Sequence, residues 1–255
     1  MTFNEKYILN LIEKEQRTDG RTLMDYRKIK IETGISKNAE GSAKVTIGDT
    51  EVIVGVKLDL GEPFPDTPDE GTIIVNAELL PLSSQEFEAG PPGTEATELA
   101  RIIDRGIRES KAIDFKKLAL IPGEKIWMVF IDIYTINHAG NLIDASALAA
   151  AAALQVARFP KVENNKVVYG EFTNKLLPST KLPVTCTVSK IRNKFIVDQT
   201  LEEEGSASAR LSVALIDGKI HAMQKGLLGP LTPEEVEQMI DIAIEKEREL
   251  RKHLK

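Results

Sequence analysis

Apolar residues along this chain follow two rhythms, and the switches between them mark out its elements. Ile8, Leu11 and Ile12 share one helical face, which predicts a short amphipathic helix ending near "RTDGR", residues 17 to 21. "RKIKIETG" alternates polar with apolar and reads as a strand. In residues 42 to 60, Val45 and Ile47 form one stripe and Val52, Val54, Val56 and Leu58 a second, with "GDT" between them as a hairpin turn. Residues 61 to 71, "GEPFPDTPDEG", hold three prolines and four acids and predict a solvent-facing loop. "TIIVNAELLPL" reads as a buried strand, followed by a second loop at "EAGPPGT".

The helical period then takes over. A helix is expected over 94 to 111, with Thr94 able to cap it and Leu99, Ile102, Ile103, Gly106 and Ile107 forming its apolar stripe. "KIWMVFIDIYTI" is a long strand leading through "NHAGN" into the helix "DASALAAAAALQVARF". Asp144 is its expected N-cap, and its alanines permit close approach to a sheet. Residues 161 to 179 are polar without a period and read as an irregular boundary. After it the recipe repeats. A hairpin turns about Arg192 to Lys194, and a second turns at Asp217-Gly218. The last helix has Thr232 as N-cap, Pro233 at its first position and Glu235 completing a capping box, with Val236, Met239, Ile240, Ala243 and Ile244 as its apolar face. Strands then helix, twice over, predicts two α+β units packed side by side.

Charge limits what such a fold can bind. The 255 residues carry a net charge of −6, so contact with a polyanion requires a local basic stripe or a partner. One stripe exists: Arg101, Arg105 and Arg108 fall within about 60° on the polar face of the helix over 94 to 111. Three guanidiniums there suit phosphate oxygens. They equally suit local pairing, Glu98 with Arg101 and Asp104 with Arg108. The single cysteine, Cys186, shares a strand face with Val184 and Val188 and reads as a buried structural thiol. The N-terminal residues lack the apolar core of a signal peptide, and no apolar run approaches the about 20 residues that span a bilayer. A soluble, cytoplasmic protein with no membrane partner is expected.

Other candidate sites are weaker by pattern. "NHAGNLID" (137–144) leads into a helix N-terminus, where backbone N–H groups can hold an anion, but Leu142 and Ile143 are apolar and Asp144 would repel one. His138, His221 and His253 stand alone in sequence, so no metal site is expected. No nucleotide-binding loop or nucleophilic triad is present, and no cofactor is expected. "EEEGSAS" offers Glu202, Glu203 and Glu204 as magnesium ligands, or only a solvated turn.

Taken in order, "RTDGR", "GSAKVTIGDTEVIVGV", "GPPGTEATELARIIDRGIRES" and "HAGNLIDASALAAAAAL" resemble the RNase PH family, and within it the non-catalytic ring subunits of the archaeal exosome. The resemblance implies two RNase PH-type α+β domains. The first, like domain 2 of ribosomal protein S5, would cover 1 to 160; a smaller one would cover 161 to 255. Active members degrade RNA from the 3′ end by phosphorolysis. Where they carry Gly-Ser-Arg/Asn-Thr this chain has Gly140 to Ile143, "GNLI"; where they carry an arginine pair it has Thr94 and Glu95. Ser208 stands where they have an aspartate, and a serine hydroxyl neither ionises usefully near neutral pH nor binds magnesium well. Each such loss typically costs about 10²-fold or more in rate. The resemblance therefore implies no catalytic residue here, and RNA contact by Arg101 and Arg105. Arg108 shares their face without a family counterpart. Expected partners are a catalytic RNase PH-like paralogue, three such pairs closing a ring, together with RNA and RNA-binding cap proteins. Two alternatives stay open: a self-sufficient phosphorolytic exoribonuclease drawing its acid from Glu202 or Glu203, and, by fold analogy alone, a phosphotransferase.

Overall fold

In the computed structural model, which describes residues 3–163 and 166–254, the alternating stripes build one sheet. Its strands are β1 (Ile29–Thr33), β2 (Gly41–Ile47), β3 (Thr50–Gly61), β4 (Thr72–Glu78), β5 (Ala119–Ile121) and β6 (Lys125–Asn137). They lie in the order β1-β2-β3-β6-β4 with β5 beside β6; only β4 and β6 run parallel. Val52, Val54, Val56 and Leu58 of β3 are buried while their neighbours are partly exposed, the period-two pattern of a sheet covered mainly on one face. The second sheet runs β10-β9-β11-β12, from β9 (Val184–Ile191), β10 (Lys194–Val197), β11 (Ala209–Ile216) and β12 (Lys219–Gly226).

Two helices, α2 (Thr94–Ser110) and α3 (Leu142–Val156), contact strands of both sheets and form a shared middle layer. The alanines of α3 make this approach close: a Cβ on Gly41 of β2 would lie 2.3 Å from the Ala153 carbonyl oxygen. Six consecutive residues of β9, Val184 to Ser189, are buried, so that strand is covered on both faces. The far face is covered by α5 (Pro233–Arg251), through Met239, Ala243 and Leu250, and its Thr232–Glu235 capping box forms as expected. One apolar cluster runs through both halves of the chain. The recurring order of strands then helix is real, and the two halves pack together through a core shared by α2 and α3. In a second cluster, α1 (Phe3–Glu13) sets Ile8, Leu9 and Ile12 against Ile191 and Ile196 of the second sheet.

Three local expectations are corrected. Residues 161 to 179 are not irregular: β7 (Arg158–Glu163) and β8 (Lys166–Leu176) form an antiparallel hairpin. Most of β8 is exposed, so no apolar alternation advertises it, and backbone pairing carries the strand. Thr94 is the first residue of α2, not its cap. The N-cap is Gly93, whose carbonyl accepts from the Thr97 hydroxyl at 2.9 Å. Asp144 lies inside α3 and Asn141 is the N-cap, because the chain enters through Gly140 (φ +92°) and Asn141 (φ 58°), both left-handed. A Cβ on Gly140 would meet the Gln199 carbonyl oxygen at 2.3 Å, so glycine is required by space as well as by backbone.

Candidate functional site

The helix-closing segment "RTDGR" supplies two arginines to a buried knot. Arg17 donates from Nε (2.9 Å) and Nη2 (2.6 Å) to the Glu203 carboxylate, and from Nη1 and Nη2 to the carbonyls of Val197 (3.0 Å) and Asp198 (2.6 Å). Asp198 accepts from Arg21 Nη1 (2.9 Å), from Arg27 Nε (2.9 Å), Nη2 (2.7 Å) and backbone N (2.7 Å), and from Asn141 Nδ2 (3.0 Å). Burial pushes its carboxyl up, but the hydrogen bonds and charge of Arg27 outweigh this and hold it below the usual aspartate range. The knot fixes residues 197 to 204 against the start of α3. Sequence reasoning missed it, since nothing local joins Arg27 to an acid 171 positions away.

On that pinned segment the three glutamates form a short helix, α4 (Leu201–Glu204), and diverge. Glu202 is exposed, and Glu203 is buried on Arg17 and accepts from the Thr200 N–H (2.8 Å). Glu204 Oε1 accepts from the Asn141 N–H (2.8 Å) and Gln199 Nε2 (3.3 Å). His138, alone in sequence, has an acid in space: its Nε2 lies 3.7 Å from Glu204 Oε2 and its ring stacks on Phe87. Burial raises the Glu204 carboxyl and lowers the His138 imidazolium, so neither gains strong charge from the other. Among the described residues, no group of three or more His, Cys, Asp or Glu is placed to hold a metal. Ser208 precedes β11, is exposed, and donates its hydroxyl to the Lys190 carbonyl (3.2 Å).

These placements decide what the start of α3 can do. An anion at a helix N-terminus would take a backbone N–H such as that of Asn141, and the protein's own Glu204 carboxylate already holds it. Leu142 and Ile143 face a cleft of about 370 Å³ whose other lining groups include Glu86, Glu95, Glu98, Glu204 and Arg210. The guanidinium of Arg210 is paired with Glu98 at 2.6 Å. Four carboxylates against one committed arginine make this a poor seat for orthophosphate.

The arginine face of α2 separates into two kinds. Arg108 donates to Asp104 (2.8 Å) and the Ile73 carbonyl (3.0 Å), the local pairing its spacing allowed. Glu98, the expected partner of Arg101, is bound to Arg210 instead. Arg101 and Arg105 are exposed, and among the described residues neither has an ion pair or hydrogen bond. Both guanidiniums are free to meet an external anion.

Behind the site, Asp144 is wholly buried, accepting from the Tyr26 hydroxyl (2.7 Å) and Asn141 Nδ2 (3.1 Å), and burial pushes its pKa up to about 6. The same burial keeps the Cys186 thiol, 3.2 Å from the Tyr26 oxygen, protonated. Because the folded protein binds the Asp144 proton more tightly than the unfolded chain, this group opposes folding above about pH 6, and the penalty fades towards pH 4. Relative to Asp144→Asn, the wild type should therefore gain about 2 kcal/mol of unfolding free energy between pH 7 and pH 4.5. Urea titrations of both proteins across that range check it; parallel curves would show an ordinary carboxyl.

The order of two α+β units has counterparts among known proteins. Residues 25–160 match the 3′ exoribonuclease family, domain 1, and residues 181–246 match its domain 2. The chain belongs to this RNase PH-type exoribonuclease family. It is 50% identical over 251 residues to the "Exosome complex component Rrp42" of Methanosarcina mazei, covering 98% of this chain and 92% of that one. The protein of the same name from Methanothermobacter thermautotrophicus is 47% identical over 252 residues (98% and 93%). Among solved structures, a chain of the Archaeoglobus fulgidus exosome with RNA bound to the active site superposes with TM-score 0.93 at 43% identity, covering 99% of this chain and 98% of that one. A chain of an archaeal exosome core gives 0.88 at 41% identity (98% and 96%).

Proposed function

We propose that this chain is a non-catalytic subunit of an archaeal exosome ring. In this reading it structures the active site of a catalytic RNase PH-like paralogue and holds RNA through Arg101 and Arg105 for 3′-to-5′ phosphorolysis. The observation that carries it is the Glu204 carboxyl on the Asn141 N–H: the position where an attacking phosphate would be gripped is filled by the protein's own acid side chain. The exposed Ser208, its hydroxyl turned to a carbonyl, supports the same reading, and Glu203 is committed to Arg17 and is not free to serve as an acid. The near-full-length likeness to exosome components supports the assembly. Three heterodimers would close the ring, cap proteins would dock on it, and its place is the cytoplasm. The division into domains at 1–160 and 161–255, with the β7–β8 hairpin as the strap between them, belongs to this proposal. So does contact of Arg108 with RNA, which would require it to leave Asp104.

The test is phosphorolysis by the purified chain. Given orthophosphate and an oligoribonucleotide with a free 3′ end, it should release nucleoside diphosphate at least about 10⁴-fold more slowly than its complex with the catalytic paralogue. Ser208→Asp alone should not restore activity, because the phosphate grip is still missing. Comparable release by the lone wild-type chain would overturn the reading and favour an acid drawn from Glu202.

A further inference from the structure

Beside Arg101 the surface opens into a shallow groove of about 360 Å³ between α2 and β4. β4 is the last strand of its sheet, so one of its edges has no neighbouring strand. Two hydrogen bonds fix which residues face that edge. The Ile73 carbonyl accepts from Arg108 of α2 and so points outward, whereas the Glu78 carbonyl accepts from the Thr135 hydroxyl of β6 and points inward. Successive residues of a strand alternate in this respect, so Val75, like Ile73, turns its N–H and C=O away from β6. Val75 is partly exposed and lines the groove. With no strand beyond it, its donor and acceptor have no ladder to join.

The rest of the groove is small and apolar, built by Ala77, Pro92, Ala96 and Ala100, with Arg101 at its rim. Asp104 is the one acid among its described lining residues, and Arg108 neutralises it. Each feature fits a different part of a nucleotide. The adjacent N–H and C=O of one strand residue complement the adjacent acceptor and donor on the Watson–Crick edge of a base, the edge by which single-stranded RNA is commonly read. Small apolar walls accept the flat faces of a ring, and a free guanidinium takes a phosphate. The positive charge left by Arg101 favours a nucleotide over a protein strand added to the same edge.

We propose that this groove takes one unpaired base of the RNA whose phosphate Arg101 holds, with the Val75 N–H and C=O on its Watson–Crick edge. The proposal rests on the RNA contact assigned above to Arg101 and adds a base subsite to it. Every base carries a donor beside an acceptor on that edge, so the groove selects single strands without selecting a sequence.

The test uses the reconstituted ring without orthophosphate, which leaves the RNA uncleaved. Binding of an oligouridylate is compared with binding of the same oligonucleotide made from N3-methyluridine, whose edge no longer donates. The wild type should bind the methylated RNA at least about fivefold more weakly. Ala100→Leu fills the groove from a partly exposed helical position. It should weaken the oligouridylate to a similar degree, and methylation should then cost little more. Its salt slope should stay that of the wild type, because Arg101 keeps its phosphate, whereas Arg101→Glu should lower the slope. Leucine is a good helix former, so thermal unfolding of the Ala100→Leu chain should match the wild type. If Ala100→Leu binds both RNAs as the wild type does, the base subsite is overturned while the Arg101 contact, read from the slope, stands. An unchanged slope in Arg101→Glu overturns that contact and the subsite with it. Failure of Ala100→Leu to assemble with the catalytic paralogue would also overturn the proposal, marking the groove as a seat for a protein strand.

Discussion

Asp198→Ala should destabilise the protein by about 3–5 kcal/mol, the cost typical of removing one partner from a buried ion pair. The carboxylate is wholly buried, and the Arg21 and Arg27 side chains it pairs are only 13% and 12% exposed. Without it, the Arg27 guanidinium stays inside with too few acceptors. Arg21 keeps Asp19 (2.7 Å) and the Asp25 carbonyl (2.7 Å), and Arg27 keeps the Ala139 (2.7 Å) and Gly140 (3.2 Å) carbonyls, but no counter-charge of comparable burial remains for Arg27. A second, smaller cost comes from the backbone. Asp198 sits at φ 46°, a conformation that aspartate tolerates better than alanine does. Asp198→Gly separates the two costs, recovering about 1 kcal/mol if the backbone matters and leaving the charge loss in place. Denaturant unfolding of the three proteins measures both. A loss below about 1 kcal/mol for the alanine variant would mean that the carbonyls alone satisfy the arginines. The wild-type carboxyl lies below its unfolded value, so its contribution is present at neutral pH and is lost only as pH falls through the folded pKa.

That knot also marks the limit of what the sequence discloses. The elements that bury one face were readable: the β3 stripe from Val52 to Leu58, the α2 stripe from Leu99 to Ile107, and the capped α5 all rest on local periodicity. The β7–β8 hairpin was not, because its exposed residues impose no alternation and its pairing is a matter of backbone. At the site, the family resemblance picked out Gly140 to Ile143 and Ser208. It did not tell that Glu204 closes the helix start, 63 positions from Asn141. Position in a motif says which group is missing; only the fold says what has moved into its place. The same holds for the arginine stripe. Helical spacing allowed Glu98 to neutralise Arg101, and a strand more than a hundred residues on provides Arg210 to take that acid away.

Arg101→Glu with Arg105→Glu, in the reconstituted ring, should weaken binding of single-stranded RNA by about 10²-fold at moderate salt, since each charge-assisted hydrogen bond is worth about 1.5 kcal/mol or more. The slope of log affinity against log salt should fall by about 1.4, or about 0.7 for each single-strand phosphate that is no longer neutralised. The slope distinguishes direct contact from a general change of field. Arg101→Lys with Arg105→Lys keeps both charges and should preserve most of it, while giving up bidentate geometry. Stability should hardly move, because both side chains are exposed and neither has a partner among the described residues. Arg108→Glu should have the opposite profile. It breaks the pair with Asp104 and the bond to the Ile73 carbonyl, so it perturbs the packing of α2 on β4 more than it perturbs RNA. If the double reversal at Arg101 and Arg105 left affinity and salt slope unchanged, RNA would have to reach a neighbouring active site without touching this helix. The two unpaired guanidiniums, on a chain whose net charge is −6, would then have no anion to meet.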